Sequence, residues 1–247
     1  MRTFFKNKVL PTPYLIAETL VMDFIRYVEN MLAYREQLYI ALSGGSTPQL
    51  MFDIILKEYA DALPWEKIHF FWVDERCVPE ASDQSNYGIA NRMLFTKISI
   101  PSENLHHIHG FEDPLYEVVR YTGDILAHVP CTNNIPVFDL ILLGMGDDGH
   151  TASIFPGQLN LFDIPAICSL SQHPESKQVR ITLTGKVINN AQEVVFLVTG
   201  KQKADKIRAI LENESEAYLY PAKKIKPTHG KLAWYLDNEA SLHVIVK

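Results

Sequence analysis

The alternation of short apolar runs with helix-like segments is the feature that most constrains the fold of this 247-residue chain. Apolar runs that predict strands lie at 38–42, 68–73, 138–143, 179–183, 193–199 and 232–236. Segments with helical spacing of apolar residues lie at 16–35, 49–59, 86–95 and 201–212. Strands that alternate with helices build a parallel or mixed sheet covered on both faces. The sequence therefore predicts an α/β fold.

The chain contains no internal repeat, no low-complexity tract and no convincing linker, so we treat residues 1–247 as one domain. Segment 99–136 has poor periodicity and several prolines, and we expect a loop-rich insertion over the edge of the sheet. No role is assigned to segment 158–178. A further apolar run, 242–246, closes the chain.

Charge and cysteine usage exclude several classes of function. The net charge is −6 and the lysines and arginines are scattered, so nucleic-acid binding is not expected. The three cysteines, Cys77, Cys131 and Cys168, lie far apart, which suits a reducing cytosol rather than a disulfide framework. No signal peptide is recognised, and no apolar run approaches the roughly 18 residues that span a membrane. We expect a cytoplasmic protein.

The chemically richest segment is 144–156, which follows the apolar run 138–143. Ligands of open parallel sheets bind at the carboxyl ends of strands, so this turn is expected to face a crevice. His150 is the one side chain of the segment whose type has an unperturbed pKa near neutrality. Asp148, two residues earlier, could orient its imidazole as a general base. The competing interpretation is helix capping by Asp147 or Asp148, with the histidine uninvolved.

The first six residues of that segment, 144–149, also match the dinucleotide pattern G-x-G-x-x-G after a strand. Its two aspartates would repel a pyrophosphate. In addition, Pro156 and Gly157 interrupt the chain where the pattern needs a complete helix and a second strand. Dinucleotide binding is therefore disfavoured.

A second candidate site is the segment 43–48, Ser-Gly-Gly-Ser-Thr-Pro, between a predicted strand and a predicted helix. Gly44 and Gly45 let the backbone approach a ligand closely. The free amides at a helix start favour a phosphate. The competing interpretation is a tight turn in which Ser46 or Thr47 caps the helix.

Charged residues follow the second predicted strand. Asp74 and Glu75 could serve in acid–base chemistry, and the planar guanidinium of Arg76 could hold a phosphate or carboxylate. Arg180 and Lys203 lie at strand or helix edges later in the chain, where each alone is more often a surface charge.

Three histidines, His106, His107 and His109, lie close together in the sequence. Adjacent histidines on a loop do not form an obvious facial metal site, and no predicted helix carries His-x-x-x-His. We therefore predict no metal at these residues.

Seven motifs, taken in order, resemble the 6-phosphogluconolactonase family, whose relatives include glucosamine-6-phosphate deaminases. They lie at 42–48, 73–76, 144–157, 180–184, 198–204, 221–222 and 230–237. The resemblance implies a three-layer α/β/α sandwich with a mostly parallel central sheet. It implies hydrolysis of 6-phosphoglucono-1,5-lactone in the pentose phosphate pathway, without a metal or organic cofactor. The expected partner is a small sugar phosphate, and the expected state is a monomer or a small homo-oligomer.

The resemblance also implies roles for individual residues. The family's catalytic histidine falls on His150, and Asp148 would hold its tautomer while it takes a proton from water. Arg76 or a backbone amide would stabilise the oxyanion. The residues implied in phosphate binding are Gly44, Gly45, Ser46, Thr47, Arg76, Arg180 and Lys203.

Two alternatives remain open. In the deaminases a glutamate stands five residues after the histidine, and here that position is Phe155, which cannot relay protons. Asp74 nevertheless stands where the deaminases have a catalytic carboxylate, so it is retained as a possible acid or base. The second alternative is a non-catalytic sugar-phosphate binding domain, which need not keep both Asp148 and His150.

Overall fold

The computed structural model of the chain describes residues 4–244. Its strands are β1 (Lys8–Leu10), β2 (Leu38–Leu42), β3 (Ile68–Trp72), β4 (Asp74–Arg76), β5 (Leu105–His106), β6 (Cys131–Thr132), β7 (Ile135–Pro136), β8 (Leu140–Leu143), β9 (Cys168–Gln172), β10 (Val179–Leu183), β11 (Glu193–Val198) and β12 (Lys231–Asp237). Its α-helices are α1 (Pro13–Leu32), α2 (Ser46–Glu58), α3 (Asn86–Met93), α4 (Pro114–His128), α5 (Gly185–Ile188) and α6 (Ala204–Leu211).

Seven strands form the central sheet in the order β1-β12-β11-β8-β2-β3-β5, and every neighbouring pair is parallel. From β2 the chain builds outward through β3 to β5. From β8 it builds in the opposite direction through β11 to β12. The strand order therefore reverses between β2 and β8, and such a reversal opens a crevice at the carboxyl ends of the two strands.

Helices cover both faces of this sheet. Successive strand residues point to opposite faces, so Phe70 and Phe71 of β3 mark the two sides. The Phe70 ring packs 5.1 Å from Phe95, which follows α3. The Phe71 ring lies 6.5 Å from Tyr121 of α4, whose hydroxyl accepts from the Trp72 amide and donates to the Trp72 carbonyl, both at 2.8 Å. The predicted three-layer α/β/α sandwich is confirmed.

A second, antiparallel sheet has the order β4-β10-β9. Only Val73 separates β3 from β4, so the chain passes directly from the central sheet into the small one. The pairing of β4 with β10 sets Arg76 opposite Arg180. A predicted strand at 179–183 thus brings together two cations that lie over a hundred residues apart.

Several sequence predictions need correction. Segment 99–136 is not merely a loop-rich insertion, because it contains α4, the sheet-edge strand β5 and the hairpin β6–β7. Segment 158–178 contains β9. Helix α2 begins at Ser46 rather than 49, and α6 begins at Ala204, after a 3-10 turn at 201–203. Residues 242 and 243 lie in a turn, and 245–246 fall outside the described residues.

Helix α4 was not predicted from the sequence, and in the structure several of its apolar residues face solvent. Its buried side is formed by Glu117, Tyr121 and Ile125, whereas Leu115 and Val119 are each 70% exposed. The start of α4 nevertheless carries common helix-capping residues. Asp113 accepts hydrogen bonds from the amides of residues 115 and 116, and a proline occupies the first helical position.

Within residues 4–244, no helix is both long enough and apolar enough to cross a membrane.

Ile141→Ala tests the importance of the central strand pair. Ile141 of β8 is fully buried and pairs with Ala41 of β2. We expect the free energy of unfolding to fall by about 2–5 kcal/mol, because truncation leaves a cavity in the core. Leu115→Ala on the exposed side of α4 is the control, with an expected change within about 0.5 kcal/mol. Urea denaturation measures both, and equal losses would contradict the assigned core.

Candidate active site

A cleft of about 610 Å³ opens where the strand order reverses, at the carboxyl ends of β2 and β8. The predicted site residues that line it are Gly44, Gly45, Ser46, Thr47, Asp74, Arg76, His150, Arg180 and Lys203. Asp148 is the remaining predicted site residue, and it contacts His150 without lining the cleft. The structure therefore brings all ten residues together, and their individual roles remain predictions.

The loop after β2 presents backbone amides to the cleft. Gly45 is the N-cap of α2 and adopts a φ of +126°, and no side chain caps this 13-residue helix. The expectation that Ser46 or Thr47 caps the helix is wrong. Uncapped first-turn amides and the helix dipole favour an anion at this position. The Thr47 hydroxyl lies 3.1 Å from that of Thr199, which follows β11.

Gly44 is required for a close contact across the cleft wall. A Cβ at this position would overlap the side-chain amide of Asn86. Asn86 begins α3, is buried, and donates from Nδ2 to the Asp74 carbonyl at 2.9 Å. Asn86 also lines the cleft and was missed in the sequence, where an asparagine at the start of a helix carries no distinctive signal.

The buried carboxylate of Glu75 fixes the start of α3 and the Arg76 amide. Its carboxylate accepts hydrogen bonds from the amides of Arg76, Asn86 and Tyr87 and from the Ser85 hydroxyl, at 2.8–3.0 Å. Burial raises the pKa of Glu75, although these hydrogen bonds favour its charged form. Because Glu75 is 1% exposed and anchors the start of α3, it positions Asn86 and Arg76 rather than acting in the cleft.

Arg76 and Arg180 form a pair of neighbouring cations. Arg76 donates to the Gln84 carbonyl at 2.7 Å, whereas Arg180 has no carboxylate within 4.0 Å among the described residues. The Nε atoms of both are buried without a hydrogen-bond partner. Burial lowers the pKa of Arg180, and the charge of Arg76 lowers it further. Two half-buried like charges with free donors are an arrangement that a bound anion stabilises.

His150 is held by Asp148. Their Nδ1 and Oδ1 atoms lie 2.6 Å apart, and the Asp148 carboxylate also accepts from the His150 amide at 3.0 Å. Burial opposes the charge of Asp148, but the hydrogen bonds and charge of His150 outweigh it and lower the pKa of Asp148. In the neutral imidazole, an ionised Asp148 carboxylate favours the tautomer that carries its proton on Nδ1, which leaves the lone pair on Nε2. Gly146 leaves room for the ring, because a Cβ there would overlap it.

The capping interpretation of this segment is wrong, because no α-helix follows Asp147 or Asp148 before α5. Asp147 instead forms an ion pair with Lys203, which lies in the turn at 201–203. This pair places Lys203 against the cleft on the same side as the His150 turn.

Asp74 is nearly buried at the cleft wall. The hydroxyl of Ser153 donates to its Oδ2 at 2.5 Å. Ser153 lies within the 144–157 motif, but its contact with Asp74 forms only in the folded chain and was not predicted.

Phe155 packs against the ring of His150 and is fully buried. Its ring centroid is 4.7 Å from that of His150, 5.1 Å from that of His173 and 5.8 Å from the Arg180 guanidinium carbon. His173 lies in segment 158–178, for which we predicted no role from the sequence. The side of His150 that faces Phe155 is therefore apolar.

Gly44→Ala tests the close approach to Asn86. We expect a loss of about 1–3 kcal/mol in unfolding free energy, because the new methyl group must displace a packed amide. Gly123→Ala is the matched control, since Gly123 lies in α4 with no atom within 4 Å of the added Cβ, and it should gain about 0.5–1 kcal/mol. Denaturant titration reports both values, and changes of the same sign would contradict the contact.

Comparisons with known proteins agree with this geometry. A family model described as glucosamine-6-phosphate isomerases/6-phosphogluconolactonase matches residues 11–234. The 6-phosphogluconolactonase of Haemophilus influenzae is 42% identical over 231 residues, which cover 93% of this chain and 96% of the relative. That of Treponema pallidum is 34% identical and covers 86% and 96%.

Solved structures show the same relationship. The 6-phosphogluconolactonase structure from Trypanosoma brucei has a TM-score of 0.87 at 29% identity and covers 98% of this chain and 100% of that one. That from Thermotoga maritima has a TM-score of 0.81 at 30% identity, covering 94% and 99%. A monomeric glucosamine-6-phosphate deaminase, 20% identical with a TM-score of 0.75, shares the fold. The chain belongs to the glucosamine-6-phosphate isomerase/6-phosphogluconolactonase family.

Proposed function

We propose that this chain hydrolyses 6-phosphoglucono-1,5-lactone to 6-phosphogluconate, with His150 as the general base. The observation that carries the proposal is the His150–Asp148 pair, at 2.6 Å, in a cleft that also contains Arg76 and Arg180, whose Nε atoms have no hydrogen-bond partner among the described residues. Relatives at 42% and 39% identity that bear the name 6-phosphogluconolactonase support the substrate.

The phosphate of the substrate would bind the cationic side of the cleft. It carries nearly two negative charges near neutrality, which complement the α2 amides and the Arg180 guanidinium. Lys203 can contribute by exchanging its Asp147 partner for the phosphate. Anchoring the phosphate in this way fixes the distance from the lactone carbonyl to His150.

The hydrolysis step then needs only His150 and one water. Nε2 removes a proton from the water as its oxygen attacks the lactone carbonyl. When the ring C–O bond breaks, the imidazolium returns that proton to the departing oxygen, and the product is the open-chain acid. Asp148 stabilises the imidazolium in between, and Arg76 or a backbone amide of the 144–146 turn stabilises the oxyanion. This chemistry requires no metal or organic cofactor.

Deaminase chemistry is the second candidate, because Asp74 lines the cleft where those enzymes have a catalytic carboxylate. Ring opening in that reaction needs a proton relay beside the histidine. Here the position is Phe155, whose ring packs against His150 and cannot transfer a proton. The lactonase is therefore favoured over the deaminase.

A direct assay separates the candidates. Fresh 6-phosphogluconolactone and glucosamine 6-phosphate are offered to the same purified protein, with acid release and ammonia release as the readouts. We expect accelerated hydrolysis of the lactone and no ammonia. Ammonia release would favour the deaminase, and a blank in both reactions would favour a binding domain.

His150→Gln should lower kcat for the lactone by about 10²–10⁴, which is the usual contribution of a general base. Glutamine keeps the size and polarity of the side chain but cannot take a proton. Stopped-flow titration of the released acid measures the rate, and circular dichroism checks that the variant is folded. A folded variant with the wild-type rate would remove His150 from the mechanism.

Arg180→Ala should raise KM by about tenfold or more, since a charge-assisted hydrogen bond contributes about 1.5–3 kcal/mol. The effect on kcat should be smaller, because Arg180 is assigned to the phosphate. Arg208→Ala is the matched control, as Arg208 lies on α6 and pairs with Glu214 at 3.0 Å, away from the cleft. An unchanged KM for Arg180→Ala contradicts the phosphate assignment.

A further inference from the structure

Three possible metal ligands meet outside the cleft. His106 of β5 and Asp124 and His128 of α4 place one ligand atom each within 4.8 Å of one another. From the sequence, we grouped His106 with its neighbours His107 and His109. In the structure, its partners are Asp124 and His128, which lie one turn apart on helix α4.

Two of the three distances between these atoms are close to those of a tetrahedral site. Asp124 Oδ1 lies 2.9 Å from His106 Nδ1 and 3.1 Å from His128 Nδ1, and His128 Nδ1 also lies 2.9 Å from the Asp124 carbonyl oxygen, a contact that the ion would replace. Tetrahedral zinc with ligands at about 2.0–2.1 Å requires ligand atoms about 3.3 Å apart. Each histidine therefore needs to move away from Asp124 Oδ1 by only a few tenths of an ångström to accept the ion.

The surroundings of His106 fix its orientation as a ligand. Its Nε2 atom lies 2.9 Å from Nδ1 of His69, and its ring stacks on Phe71 with the planes 3° apart. A histidine that ligates a metal through one nitrogen donates a hydrogen bond from the other, and His69 supplies that acceptor. His69 itself is 6% exposed, and its Nε2 has no partner among the described residues.

Charge and access also suit a cation. Arg120 contacts the other carboxylate oxygen of Asp124 at 3.3 Å, but its main partner is Glu117, with two hydrogen bonds of 2.7 Å. Asp124 Oδ1 therefore remains available, and the charge of Arg120 is largely balanced. The side chain of His128 is 39% exposed, which gives an ion a path from solvent and leaves room for a water ligand.

We propose that His106, Asp124 and His128 form a Zn²⁺ site with water as the fourth ligand. Two imidazoles and one carboxylate suit zinc, whereas magnesium and calcium prefer oxygen ligands alone. His69 lies near the amino end of β3, and the proposed catalytic cleft lies beyond the carboxyl ends of the strands. The site thus lies apart from the proposed catalytic cleft, and a bound ion would tie the two-residue edge strand β5 to the last turn of α4.

The test is Zn²⁺ binding by the chelator-treated full chain, measured by competition with a chromophoric chelator. The wild type should bind one Zn²⁺ and show a higher Tm in its presence, because an ion that binds only the folded state stabilises it. His128→Gln should weaken binding by more than the about 10–100-fold expected for loss of an outer partner. Co²⁺ should give a tetrahedral visible spectrum in the wild type that this variant lacks.

Two controls locate the ion. His243→Gln removes an exposed histidine that pairs with Asp205 at 2.8 Å and belongs to no three-ligand cluster among the described residues, so it should bind normally. His150→Gln should also retain the ion.

Asp124→Asn provides a second ligand variant if His128→Gln proves unstable. The proposal is overturned if the wild type takes up no Zn²⁺, if both ligand variants bind as tightly as the wild type, or if His150→Gln abolishes binding.

Discussion

The site depends on the reversal of strand order between β2 and β8. These two strands pair only through Ile40–Leu140 and Ala41–Ile141, after which their chains separate. The loop that follows β2 supplies the α2 amides, and the turn that follows β8 supplies His150. The order of the strands therefore places the proposed anion-binding loop and the turn that carries His150 on opposite sides of one crevice, before any side chain is considered.

The second constraint is electrostatic. The antiparallel pairing of β4 with β10 puts Arg76 beside Arg180 in a chain whose net charge is −6. A bound anion would therefore be held by local cations against the overall negative charge of the chain. Glu75 gives this cationic pair a rigid base, since three hydrogen bonds tie it to the start of α3 and a fourth joins it to the Arg76 amide. The proposed phosphate contacts thus rest on backbone pairing more than on flexible surface charges.

Local sequence patterns predicted the central strands and the positions of the Gly44 loop and His150, because period and turn chemistry are local properties. What they missed arises from tertiary contacts. Burial in helix α4 does not follow residue polarity, because Glu117 is buried whereas Leu115 and Val119 are exposed. Asn86, the contact of Ser153 with Asp74 and the grouping of His106 with α4 depend on distant segments that meet only in the fold. Asp148 and Arg76 were candidates from their positions after predicted strands as well as from the family resemblance, whereas the role of Lys203 rests on that resemblance.

The central claim is that Asp148 holds a neutral His150 with Nε2 free to accept a proton. The most direct test is the ¹⁵N chemical shift of both imidazole nitrogens of His150 at neutral pH, assigned by comparison with His150→Gln. We expect a protonated Nδ1 and an unprotonated Nε2 in the neutral imidazole. A neutral imidazole that carries its proton on Nε2 would contradict this assignment.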